Sequence, residues 1–398
     1  MLVYQATKEK FSNDVLSNNI ENIIAEVIKE KLNFSVPKNQ ILSFKNSLIY
    51  MDKIISDPEI PSDSGVAIEF QVPQTSKRVD FILTGQDENK IDHAIIVELK
   101  QWEEARATSK DGVVITRFAH GEVETSHPSY QAWSYAALIN GFNEAVYSGN
   151  IKLNPCAYLH NYKDNGVITN DFYKEYLNKA PAFLKNDALK LRKFIKRFVK
   201  YGDKGDVMYK IDSGKIRPSK ALSDSLTSML RGNKEFVMID DQKIVYETAL
   251  SLAKKSNERD KNVLIVEGGP GTGKSVVAIN LLVESSNIGL VSKYVTKNSA
   301  PRDVYASKLT GTLRRTEFLN LFSGSGSFVN CPKNTFDFLI VDEAHRLNEK
   351  SGMFKNLGKN QVKEIINSSK CSVFFIDEDQ RVTLNDIGSK EEIVNWAK

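Results

Sequence analysis

The chain has 398 residues, more than a single hydrophobic core usually supports, so two or three domains are expected. A hydrophobic content of 41%, a charged content of 26% and only 11 prolines exclude a fibrous or disordered chain, and a net charge of +4 is too small to require a polyanionic partner. Cys156, Cys331 and Cys371 are far apart and odd in number, which excludes a disulfide framework and a paired-cysteine zinc site. No secretory pattern opens the sequence and no apolar run approaches membrane-spanning length, so a cytoplasmic protein without membrane attachment is expected.

In chain order, apolar residues at helical spacing (Ile20, Ile23, Ile24, Val27, Ile28, Leu32) predict a helix from Asn18 to Leu32. A polar stretch with Pro58 and Pro61 follows, then strand-like runs at Val66–Val72, Arg78–Leu83 and His93–Leu99, the last two turned at Gln86–Asn89 into an antiparallel pair. The segment from Gln101 to Pro128 predicts its own hairpin, Val113–Phe118 with Glu122–Thr125, turned at His120-Gly121. A helix over Tyr130–Ala145 and a strand over Lys152–Leu159 close this part. His93, His120, His127 and His160 show no ligand spacing and are read as structural or surface residues.

Polar residues on this frame suggest chemistry. Glu98 and Lys100 are two apart on one strand and share a face, and hairpin pairing brings Asp80 beside them. Two carboxylates and a lysine at a strand end suit metal-assisted phosphodiester hydrolysis: Asp80 and Glu98 hold Mg²⁺, and Lys100 orients water or stabilises the phosphate. Asp80 with Glu98-Leu99-Lys100 resembles the core signature of the PD-(D/E)XK nuclease superfamily. Gln131-Ala132-Trp133-Ser134-Tyr135 resembles the Q-x-x-x-Y helix motif of its RecB-type branch, with Gln131 and Tyr135 on one helix face. The resemblance implies a further acidic residue, for which Glu21, Glu26 and Glu69 are the candidates.

Between Asp171 and Asn233 the pattern is helical. The run Lys190 to Lys200 carries Lys190, Arg192, Lys193, Lys196, Arg197 and Lys200 without an acid, beside an apolar stripe of Phe194, Ile195, Phe198 and Val199. Such a strip suits either a solvated helix face or contact with a nucleic acid backbone. Tyr201–Asp206 then breaks the helix and marks a boundary.

The apolar run Val263–Val266 feeds Gly268-Gly269-Pro270-Gly271-Thr272-Gly273-Lys274-Ser275, which meets every position of the phosphate-binding loop and is followed by a helix. Its backbone N–H groups and helix N-terminus suit phosphate, with Lys274 on the β- and γ-phosphates of ATP and Ser275 on Mg²⁺. Strands at Gly289–Thr296, Phe336–Val341 and Ser372–Ile376 predict a parallel sheet, with polar clusters at their C-terminal ends. Asp342 is placed to hold Mg²⁺ and Glu343 to accept a proton from the attacking water. Asp342-Glu343-Ala344-His345 and Asp377-Glu378-Asp379-Gln380 resemble two motifs of the first motor domain of superfamily 1 helicases. That resemblance implies a γ-phosphate sensor in Gln380 and an adenine reader in Gln242. The whole chain resembles bacterial proteins with a Schlafen group 3-like DNA/RNA helicase domain.

The expected architecture is therefore α/β in three parts: a PD-(D/E)XK nuclease-like domain (1–165), a basic helical connector (166–233) and a RecA-like P-loop ATPase domain (234–398). Only 18 residues follow Gln380, so a fragment, a truncated product or one half of a split enzyme whose second RecA-like domain comes from a protein partner in trans is expected, with slow ATP turnover by this chain alone. The expected function is a nuclease and ATPase acting on DNA or RNA with ATP and Mg²⁺, in defence or repair. The alternative is an ATP-dependent nucleic-acid-binding or regulatory protein with an inactive nuclease fold; a small-molecule phosphotransferase is disfavoured.

Overall fold

The computed structural model describes residues 2–32, 37–73, 75–118, 121–217, 237–309, 315–351, 357–381, 383 and 386–398. The chain divides into two compact units, Met1–Ser219 and Lys220–Lys398. Among the described residues no helix is long and apolar enough to cross a membrane.

The first unit opens with β1 (Tyr4–Thr7), α1 (Lys8–Leu16), α2 (Ile20–Leu32) and α3 (Lys38–Ile55). Then come β2 (Gly65–Gln71), β3 (Arg78–Gln86), β4 (Asp92–Lys100), β5 (Arg106–Ala107), β6 (Val113–Phe118) and β7 (Gly121–Ser126). The rest is α4 (Pro128–Phe142), α5 (Glu144–Gly149), β8 (Lys152–Leu159), α6 (Lys174–Lys179), β9 (Ala182–Leu184), α7 (Ala188–Phe198) and α8 (Asp206–Ser213). Six strands form one mixed sheet in the order β1-β2-β3-β4-β8-β9, antiparallel as far as β4 and parallel from β4 to β9.

Alternation assigns the sheet faces. Val66, Ile68, Phe81, Leu83, Ile95 and Val97 turn to a core shared with α1, α2, α3 and α7, while α4 and α8 cover the opposite face. The helix α3 departs from the sequence reading, which took this region as a polar stretch. Its Leu48, Met51, Ile54 and Ile55 are all buried in that core. The break at Tyr201–Asp206 lies inside the first unit, because Asp203 buries its carboxylate against Gly65 N (2.8 Å), Thr84 Oγ1 (2.8 Å) and Val207 N (3.0 Å). The strands β5, β6 and β7 form a separate three-stranded sheet, a flap between β4 and α4. Its tip, with His120, lies outside the described residues.

The second unit holds five parallel strands in the order β10-β14-β13-β11-β12. These are β10 (Asn262–Glu267), β11 (Ser292–Val295), β12 (Phe322–Ser323), β13 (Phe336–Val341) and β14 (Ser369–Ile376). The helices Asp240–Lys255 and Lys274–Asn287 pack on one face; Gln361–Ser368 and Lys390–Ala397 pack on the other. Phe338, Leu339, Ile340 and Val341 are all fully buried, as continuous apolar strands covered on both faces should be. The chain thus combines a mixed sheet and a parallel sheet, each with flanking helices.

Candidate functional site

In the second unit the loop from Gly268 to Ser275 joins the C-terminal end of β10 to the helix Lys274–Asn287. Gly271 (φ 73°) and Gly273 (φ 82°) take left-handed backbone, which a glycine adopts without strain. A side chain at Gly273 would also strike Gln242 Nε2 at 2.3 Å. Gln242 itself holds the loop: Nε2 donates to Thr272 O (2.8 Å), and Oε1 accepts from Ile239 N (3.2 Å) at the start of the helix Asp240–Lys255. Lys274 Nζ donates to Gly268 O (2.5 Å) and Gly269 O (2.7 Å) and stands 3.5 Å from Asp377 Oδ2.

One carboxylate gathers the strand ends. Asp342, at the end of β13 and only 4% exposed, accepts from Ser275 Oγ (2.8 Å) and Tyr294 OH (2.5 Å) on Oδ2 and from Glu343 N (2.9 Å) on Oδ1. Burial first, and the Asp342 charge second, raise the Tyr294 phenol above its usual range, so it stays a donor. Glu343 follows in left-handed backbone (φ 50°), a strained state for a residue with a side chain. Its carboxyl is raised by burial and then by Asp342. His345 Nδ1 accepts from Asp377 N (3.2 Å), tying the end of β13 to the end of β14. Gln380 is half-buried in the 3₁₀ turn Glu378–Gln380, with its N–H on Asp377 O (3.0 Å).

In the first unit the registers Ile68↔Phe81 and Phe70↔Val79 set Glu69 beside Asp80, while Asp80 and Glu98 each lie one residue past the last β3–β4 pair, Phe81↔Val97. By strand alternation the three carboxylates share the face that α4 covers. The ladder between β3 and β4 ends at Phe81↔Val97, although β3 continues on β2 to Arg78 and β4 continues on β8 to Lys100. The sheet forks at this point. Leu99 N donates to Asp80 Oδ2 (2.7 Å), and Lys100 Nζ donates to Glu98 Oε1 (2.7 Å). Gln131 Nε2 donates to Tyr135 OH (2.9 Å), as their spacing on one helix face allows.

Of the acidic candidates, Glu69 adjoins the site: burial, then the Asp80 charge, raise it to about 8 against the opposing pull of Arg78. It also carries left-handed backbone (φ 57°) inside a strand. Glu21 is paired with Lys45 (2.8 Å), and Glu26 is exposed on α2. Among the described residues no three His, Cys, Asp or Glu side chains converge closely enough to hold a metal ion.

Residues 261–398 match the Schlafen group 3, DNA/RNA helicase domain family. The matched helicase-domain segment is about a third of the chain and includes Lys274, Ser275, Asp342, Glu343 and Gln380; Gln242 and the whole first unit lie outside it. Comparison with curated proteins gave no match. Within the helicase-domain segment, Tyr294 and Asp377 touch candidate site residues, Asp342 and Lys274, and the sequence reading did not single them out. A tyrosine in a short apolar strand carries no signal distinguishing a core ring from a donor to a carboxylate, whereas Asp377 already stood in a strand-end acidic cluster.

Two of the six basic residues in the run Lys190 to Lys200, Arg192 and Lys196, are part-buried against neighbouring elements. Arg192 caps the last carbonyls of α3, at Lys53 O (2.6 Å) and Ile54 O (2.9 Å); Lys196 pairs with Glu59 (2.7 Å) and Lys190 with Asp187 (2.6 Å). Lys190, Lys193, Arg197 and Lys200 are the exposed members. The described histidines of the first unit have structural partners: His127 bonds Ser129 N and Ile168 O, His160 lies by Ser47 Oγ, and His93 by Asn154.

Proposed function

We infer that the second unit is a RecA-like ATPase working on DNA or RNA, and that the first is a PD-(D/E)XK-like nuclease. The observation that carries the ATPase reading is the Ser275–Asp342 contact, a hydroxyl and a carboxylate forming a hard oxygen pair beside a loop whose glycines leave room for phosphate. Mg²⁺ bound by that pair would neutralise charge on the β- and γ-phosphates. Lys274 now turns its ammonium to the carbonyls of Gly268 and Gly269, and an entering phosphate offers it oxygens of full charge instead. Glu343, with its raised carboxyl, is suited to take the proton of an attacking water. The test is nucleotide binding and turnover with and without single-stranded DNA and RNA. Lys274→Ala should lose nucleotide binding, and no stimulation by any nucleic acid would overturn the assignment of a polymer substrate.

For the first unit, the forked strand ends that present Asp80, Glu98 and Lys100 together support hydrolysis of a phosphodiester. A divalent cation on the carboxylates would supply activated water and take up phosphate charge. Lys100 orients that water or meets the phosphate; Gln131 and Tyr135, bonded to each other on α4, are the further residues this reading assigns to the site. A second reading, a nucleic-acid-binding unit without cleavage, is favoured by the Lys100–Glu98 ion pair (2.7 Å), in which the lysine is engaged by one of the carboxylates meant for the cation. Plasmid nicking with Mg²⁺ or Mn²⁺ decides: cleavage by wild type that Lys100→Ala abolishes supports the nuclease, and no cleavage by either supports the second reading.

A further inference from the structure

A groove of about 910 Å³ opens beside the fork. Its floor is Leu99, Lys100 and Gln101, one wall is Ser43 of α3, and the other is the flap with Thr116, Arg117 and Phe118. This volume lies in the ~300–1,000 Å³ range of small-ligand sites. Gln101 is fixed to the α3 wall by bonds to Ser43 O (2.7 Å) and Ser43 Oγ (2.8 Å), while Thr116 Oγ1 fixes the flap to Glu104 O (2.8 Å). Both walls are therefore built.

The flap strand β6 explains the unusual feature of this groove. Val114 and Thr116 share a face and are buried; Phe118, the next residue on that face, is 45% exposed. Its ring stands perpendicular to that of Trp102 (6.5 Å between centroids, 90° between planes), so Trp102 covers at most one of its faces, and its exposure leaves ring surface open to the groove. Arg117 beside it is exposed, and Lys100 Nζ lies 5.5 Å over the Trp102 ring. Glu103 and Glu104 also line the groove, so it is no general polyanion channel. Cations confined to the stretch from Arg117 to Lys100, next to one accessible aromatic face, fit a single nucleotide better than a continuous backbone track.

We propose that this groove holds one unpaired nucleotide, its base stacked on Phe118 and its adjoining phosphate between Arg117 and Lys100, so that the first unit takes single-stranded in preference to duplex nucleic acid. A base paired and stacked within a duplex cannot turn its face to Phe118. The proposal rests on the first unit acting on nucleic acid. It requires no cleavage.

The test is equilibrium binding by the full chain, in EDTA and without nucleotide, of fluorescent oligonucleotides of one sequence as single-stranded DNA, single-stranded RNA and blunt duplex. Wild type should favour a single strand over duplex, the DNA and RNA arms showing which sugar is preferred. Phe118→Ala should weaken single-strand binding roughly 5- to 100-fold, the range for loss of one stacking contact. Phe118→Trp should restore it, and Arg117→Ala should weaken binding and flatten its salt dependence. Phe118→Ala should keep the wild-type melting temperature, its side chain being half exposed. Binding by Phe118→Ala within twofold of wild type, or a wild-type preference for duplex, overturns the proposal. Nicking with Mg²⁺ is read separately: loss of binding in Phe118→Ala without any wild-type cleavage leaves the groove standing and removes the nuclease reading. Cleavage with unchanged Phe118→Ala binding does the reverse.

Discussion

Tyr294→Phe removes one oxygen from the wall of the candidate nucleotide site and leaves the ring that packs against Tyr305 and Phe322. The Asp342 carboxylate keeps its bonds from Ser275 Oγ and Glu343 N but loses the 2.5 Å bond from the phenol. A hydrogen bond to a charged group contributes about 1.5–3 kcal/mol, so the second unit should melt roughly 3–10 °C lower. The phenol also fixes which way Asp342 faces, and losing such an outer partner typically lowers metal affinity ~10-fold or more. The assay is binding of a fluorescent ADP analogue, titrated with Mg²⁺ and repeated in EDTA. The expected result is a Mg²⁺ midpoint about tenfold higher with metal-free ADP affinity unchanged. A general loosening of the fold would weaken both. An unchanged Mg²⁺ midpoint in Tyr294→Phe would refute the claim that this hydroxyl aims the carboxylate.

Further outcomes are expected in the first unit. Asp203→Ala strands the Gly65 and Val207 amides and the Thr84 hydroxyl in a buried place, and should cost about 3 kcal/mol or more in urea unfolding. Burial pushes His127 down to about 4 from the 6.5 it keeps when unfolded, so the unfolded chain binds the extra proton first. Its contribution is complete above pH 6.5 and is lost as pH falls toward 4, a change of roughly 3 kcal/mol that His127→Gln should flatten in urea titrations at several pH values. Arg192→Ala should lower first-unit stability by about 1–2 kcal/mol through the uncapped end of α3, while Lys193→Ala leaves it within ~0.5 kcal/mol; equal effects would show that the cap is idle.

Much of the frame was legible because it is repetitive. The strand Lys152–Leu159 and the strand Phe336–Val341 coincide with their apolar runs, and β6 and β7 lie where the hairpin was read. The strand, glycine-rich loop and helix around Gly268–Ser275 are legible for a different reason: the glycines and the apolar runs on either side fix that local order. The helix α3 is a different case: Leu48, Met51 and Ile55 do recur at helical spacing, but Ile49, Tyr50 and Ile54 beside them blur the stripe, which the folded core resolves. The three-residue β9 is too short for any period. The inward use of Arg192 on α7 was hidden as well, since it meets the carbonyls of Lys53 and Ile54, far away in the chain. Asp80, Glu98 and Lys100 could be grouped from strand parity and a hairpin, whereas the fork that opens them depends on where two ladders end. Selecting Glu69 from the acidic candidates needed its register against Asp80.

The Leu99 amide has an unusual partner: a carboxylate oxygen where a strand carbonyl would ordinarily stand. This makes it a spectroscopic handle on the candidate nuclease site. Its proton resonance should move with the charge of Asp80, and its exchange with solvent should quicken when that carboxylate is protonated or drawn toward a cation, while the Ile95 amide inside the paired ladder stays unchanged. One backbone proton can thus report on occupancy of the site without turnover or substrate.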